Sequence, residues 1–76
     1  MKQAQALQKI NDETTRARNI HGAFNSAHEG LAVIQEEFEG LKYEVFKPFE
    51  KRSLEKLRDE TTQLAAMALK FIIDLT

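Results

Sequence analysis

The stretch Ile34 to Val45, IQEEFEGLKYEV, carries four carboxylates: Glu36, Glu37, Glu39 and Glu44. Converging carboxylates hold hard cations such as Mg2+, whose shell is completed by water and by the phosphates of a substrate. Helical phase decides whether these four can converge, because residues three and four apart share one side of a helix. Glu37 falls on a row with Gly30, Val33, Gly40 and Glu44, whereas Glu36 and Glu39 pair on another side. Glu44 stands two turns beyond Glu37, about 10 Å along the axis, too far to share one ion with it. Further along the chain Lys56, Glu60, Gln63, Met67, Lys70 and Asp74 make a second row. If the two segments pack antiparallel, Glu37 and Glu60 face one another and form a minimal acidic site. Gln63 adds at most a neutral oxygen. The competing reading is the solvated face that a glutamate-rich helix ordinarily presents.

Other residues on these segments have two readings each. His28 is a ligand contact or a first-turn surface or interface histidine. Lys70 is a cation placed to meet phosphate, or the i,i+4 ion-pair partner of Asp74. Glu29 is explained by helix capping, and Phe38, Met67 and Phe71 by a core rather than a base-stacking platform. Gly40 marks a lost ligand or, like Gly30, simply admits a neighbouring helix closely.

Three helices must position these groups. The first is predicted over residues 3–20, with Leu7, Ile10, Ala17 and Ile20 as its apolar positions and Gly22 closing it. The second is predicted over 27–47, where Ser26 caps the free amides and Glu29 completes a capping box. Its apolar residues Ala27, Leu31, Ile34, Phe38, Leu41 and Val45 recur at alternating spacings of four and three, and Pro48 ends it. The third, over 54–75, is capped by Ser53 and repeats the pattern in Leu54, Leu57, Thr61, Leu64, Ala68, Phe71 and Leu75. The small residues of QLAAMALKF suit close helix packing.

Residues 1–76 therefore read as a single all-α domain, a three-helix antiparallel protomer. Two long seams exceed what one irregular helix can cover. The protomer is accordingly expected to complete a bundle by forming a homodimer or tetramer, with Leu31, Ile34, Phe38, Leu64, Ala68 and Phe71 in the shared core. With no cysteine, neither a disulfide nor a thiolate zinc site can staple the fold. A formal charge of −1 gives no footprint for a nucleic-acid backbone. No apolar run approaches the roughly 20 residues of a membrane span. The expected setting is the cytoplasm, without nucleic acid or membrane as partner.

HEGLAVIQEEFEGL, followed after a loop by LRDETTQLAAMALKFIIDL, resembles the MazG-like all-α nucleotide pyrophosphohydrolases, especially their short phage and prophage members. That family's pattern is Glu-Glu-x-x-Glu on one helix and Glu-x-x-Asp on the next. Glu36 and Glu37 match the opening pair, Gly40 stands in place of the third glutamate, Glu60 matches the next acid, and Gln63 replaces the aspartate. The resemblance implies Mg2+-dependent hydrolysis of a nucleoside triphosphate to monophosphate and pyrophosphate. It implies Glu36, Glu37 and Glu60 as catalytic acids, Glu37, Glu60 and Gln63 toward the metal, and His28 and Lys70 toward substrate. The two departures support an alternative: a catalytically inactive relative, a helical oligomer that binds nucleotide or another protein.

Overall fold

The computed structural model describes all 76 residues and contains three α-helices and no strand. Helix α1 spans Gln3–His21, α2 spans Ala27–Val45 and α3 spans Leu54–Leu75, with a single 3-10 turn at Phe49–Lys51. Both serine caps form: the Glu29 amide donates to Ser26 Oγ at 3.1 Å, and the Lys56 amide to Ser53 Oγ at 3.2 Å. The Glu29 carboxylate reaches back one residue further than a capping box requires, accepting from the backbone and side-chain nitrogens of Asn25. Gly22 ends α1 at φ 71°, a left-handed conformation that costs glycine nothing and most residues a good deal. Helix α2 stops at Val45, two residues short of the predicted end. Pro48 disfavours helical backbone at Lys47, so Phe46 becomes the cap.

The chain runs up, down and up. Gly30 lies against Phe71 and Leu75 while Gly40 lies against Glu60, so α2 and α3 are antiparallel. Thr14 faces the Ala66 carbonyl and Arg18 reaches Asp74, so α1 runs parallel to α3. Helix α3 is the common support: α1 and α2 both pack on it and do not pack on each other.

The core sits where α1 crosses the small residues of α3. Ala66 is fully buried and Ala17 nearly so, joined by Met67 and by Phe24 from the linker. Val33, Ile34, Phe71 and Leu75 pack around this cluster. Small side chains let two backbones approach, which explains why α1 chooses this row rather than the seam of larger residues. Within α1, Ala17 is buried and Ile10 half-buried, whereas Leu7 and Ile20 are exposed.

On the other side of the α2–α3 pair the apolar seam is open. Leu31 is 61% exposed and Phe38 51%; Ala68 is also exposed, and Ile34, Leu64 and Phe71 are half-buried. Leu31, Ile34, Ala68 and Phe71, with Ala27, His28 and Ile72, line a shallow, almost wholly apolar groove. No helix is long and apolar enough to cross a membrane.

Candidate functional site

Because α1 and α2 rest on α3 without touching each other, a cleft of about 450 Å3 remains between them. Its floor is apolar, formed by Ala17, Phe24, Val33 and Met67. Its walls are polar and mostly charged: Glu13 and Arg16 from α1, Glu36 and Glu37 from α2, and the neutral Gln63 with Lys70 from α3.

Like Glu13, Glu37 is half-buried. Its carboxyl group is held above the ordinary range, first by burial and then by the negative charges of Glu60, Glu36 and Glu13. Acids from all three helices therefore act on one position. None of the chain's ion pairs involves Glu37 or Glu60. Glu60 is half-buried and lies under Gly40: a Cβ built on that glycine would stand 2.5 Å from Glu60 Oε2. The space a larger residue 40 would occupy is thus filled by the Glu60 carboxylate. Gly30 is a glycine of a different kind, because a Cβ there would stand 2.6 Å from the Phe71 ring.

Glu13 behaves oppositely to Glu37. Two hydrogen bonds from Arg16 hold it below the ordinary carboxylate range against a smaller opposing effect of burial, with the neighbouring Gln63 side chain acting in the same direction. Gln63 lines the same cleft as Glu13 and Glu37.

Lys70 is 2% exposed. Its ammonium donates to Asp74 Oδ2 at 2.7 Å and lies 3.6 Å from the centre of the Phe24 ring. Asp74 also accepts from Arg18 Nε at 3.1 Å and from the Phe24 amide at 3.0 Å. These bonds, with the Lys70 bond foremost, hold the Asp74 carboxyl below the usual range despite its burial. The ion-pair reading of Lys70 is the one realised. The knot ties the linker after α1 to the last turn of α3 and fixes Phe24 under the cleft.

Of the residues singled out by sequence, Glu36, Glu37, Gln63 and Lys70 meet at one cleft, with Glu60 adjoining Glu37. His28 does not line it and sits instead in the apolar groove beside Leu31 and Phe71. Glu44 is 6% exposed and hydrogen-bonded through Oε1 to Lys47. Lys47 Nζ is also 3.0 Å from Oε2, but its direction leaves that oxygen without a hydrogen bond. Sequence reading missed Glu13, Arg16 and Phe24. Glu13 and Arg16 carried the faint signal of an i,i+3 charge pair on the least regular helix, and Phe24 offered none because linker residues have no period.

Nowhere do three or more His, Asp or Glu side chains converge in an arrangement able to hold a metal ion. The Glu37–Glu60 pair supplies two protein carboxylates and no countercharge. Such a donor set fits a Mg2+ delivered with phosphates, which commonly binds through one or two carboxylates, and does not fit a preloaded ion enclosed by protein ligands. No family model, curated protein or solved structure matches this chain.

Proposed function

We propose that the chain is a MazG-like nucleoside triphosphate pyrophosphohydrolase whose substrate enters the α1–α2 cleft with its Mg2+ facing Glu37 and Glu60. The observation that carries this reading is the pair itself: two half-buried carboxylates from facing helices, one raised in pKa, neither neutralised by a cation. Bound Mg2+ would screen the phosphate charge from these acids. Glu37 and Glu60 orient the triphosphate, and Glu36, at the cleft wall beside Glu37, is placed to take a proton from an attacking water. Ala17, Phe24 and Met67 offer an apolar floor for a base or sugar. Lys70 supports that floor and spends its charge on Asp74, so phosphate recognition falls to Arg16 at the wall if it exchanges Glu13 for substrate.

A second reading has its own support. Gly40 supplies no ligand, Gln63 offers a neutral oxygen but no charge, and no third acid completes the pair. These features suit a catalytically depleted relative that binds nucleotide or a protein partner without turnover.

Under either reading the chain is proposed to act as a homodimer or dimer of dimers. Only four apolar residues of the protomer are buried, too few to stabilise a 76-residue fold comfortably alone. The open α2–α3 groove is a contiguous apolar patch of the kind that marks an interface. Two such helix pairs facing each other make a four-helix bundle, with His28 at its edge. Calorimetry tests the ligand half of the proposal. Mg2+ alone should bind weakly and a Mg2+–triphosphate complex more tightly, with the gain removed by Glu37→Gln. Tight Mg2+ binding independent of nucleotide and of Glu37 would place the metal elsewhere.

A further inference from the structure

The turn joining α2 to α3 carries apolar surface that neither the cleft nor the α2–α3 groove uses. Phe49 is 82% exposed, Phe46 76% and Tyr43 68%. Phe46 is one residue past Val45, about 100° around the helix, so it leaves the seam on which Leu31 and Phe38 lie. With Tyr43 it lines a separate shallow groove whose other residues are Lys42, Lys47 and a single acid, Glu39. Arg52 Nε donates to the Lys47 carbonyl at 3.2 Å and closes the turn around Phe49.

The charge of this end is opposite to that of the remaining chain. Residues 42–52 contain four basic side chains and two acids, a net of +2, in a chain whose total is −1, leaving −3 elsewhere. One of those two acids, Glu44, is buried against Lys47. Exposed aromatic rings among cations suit a surface that is apolar beneath and anionic above.

We infer that the α2–α3 turn is a peripheral docking element for an anionic lipid surface, with Phe46 and Phe49 entering the interface and Lys42, Lys51 and Arg52 at headgroup level. The formal charge of −1 argues against single-stranded nucleic acid, which takes a positively charged groove tracking its backbone. A lipid interface makes no such demand: it takes apolar edges and lets long basic side chains extend to the phosphates. A lateral contact of this kind needs no spanning helix. It also leaves the cleft open, since the α2 residues lining that site all precede Gly40.

The test is co-sedimentation of the full chain with phosphatidylcholine vesicles, with and without phosphatidylserine, and with a labelled oligothymidylate as a separate arm. The chain should sediment with the anionic vesicles and not with the neutral ones. Phe46→Ser with Phe49→Ser should abolish the association while the helical circular dichroism persists. Lys51→Gln, a milder change at an exposed site, should weaken it about fivefold, the effect of one basic side chain near such a surface. Absence of binding to anionic vesicles, binding indifferent to lipid charge, or binding undiminished in both variants would overturn the inference. Preferential capture of the oligonucleotide, lost in the same variants, would overturn it in favour of nucleic acid.

Discussion

Replacing Gly40 by glutamate and Gln63 by aspartate should make folding depend on magnesium. A Gly→Glu change in a helix interior contributes up to about 1 kcal/mol through propensity. Against this, the new Cβ would stand 2.5 Å from Glu60 Oε2, so the Glu60 carboxylate must turn aside. No ion pair holds Glu60 in place, and the rearrangement costs about 1 kcal/mol of rotamer energy. These two effects nearly cancel, which leaves charge to decide. The added carboxylate lies about 5 Å from its i−3 neighbour Glu37, and one like-charge contact at that distance costs about 3 kcal/mol at an effective dielectric of 20, less where water screens it. In chelator the double variant should therefore lose about 2 to 3 kcal/mol, lowering the melting temperature by roughly 10 to 20 °C at 4 to 8 °C per kcal/mol. Magnesium at about a hundred times its dissociation constant returns about 2.7 kcal/mol. Thermal melting followed by circular dichroism, in chelator and in magnesium, reads this difference directly. The parent chain should shift only slightly between the two conditions, and Gly40→Ala should be nearly neutral in both. A double variant that folds normally in chelator and ignores magnesium would refute the lost-ligand account of Gly40. One that fails to assemble in either condition would identify Gly40 as a packing residue.

Three further outcomes follow from the same geometry. Asp74→Asn should destabilise the fold by about 2 kcal/mol in urea titration, because it removes charge-assisted bonds to Arg18 and Lys70 and leaves the Lys70 ammonium buried without its partner. The Glu37 carboxyl is raised in the fold, so between its ordinary and raised values the folded chain holds more protons than the unfolded one, and its contribution to stability falls as pH rises through that window; Asp74, lowered in the fold, contributes above its ordinary value and loses that contribution as pH falls through the lowered one. Glu37→Gln should accordingly remove a fall in stability on the alkaline side of the carboxylate range, and pH-dependent melting that is unchanged by the substitution would contradict this assignment. Phe38→Glu with Leu31→Glu should convert an oligomer to a monomer in light scattering, and a parent chain that is a stable monomer at micromolar concentration would remove the reason for the open seam.

The helices were legible because their ends are written in local chemistry. Ser26 and Ser53 accept the amides three residues on, Gly22 takes a positive φ, and Pro48 disfavours helix at the residue before it. The inward turn of the Glu37 row was legible as well: Gly30 and Glu44 on that row are buried, and Val33, Glu37 and Gly40 are half-buried. What covers each apolar face was not. A seam of Leu31, Phe38 and Ala68 states that a cover is wanted without saying whether α1 or another chain supplies it. The choice fell to Ala17 and Ala66, whose small size draws α1 onto a different row. The cleft, a consequence of that choice, was likewise hidden, and with it Glu13 and Arg16. Phe24 and the Asp74 knot depend on a linker bringing a ring under a lysine, a contact between residues separated by nearly the whole of α2 and α3.

The central claim is that Glu37 and Glu60 act together on a metal-bound triphosphate. Pyrophosphate release, measured across the nucleoside triphosphates with Mg2+ and with Mn2+ for the parent chain and for Glu37→Gln and Glu60→Gln, tests it most directly. Metal-dependent release from at least one triphosphate, lost in both variants while their helical signal is retained, is the predicted result. No release by the parent chain from any triphosphate with either metal, or release that survives both substitutions, would contradict it.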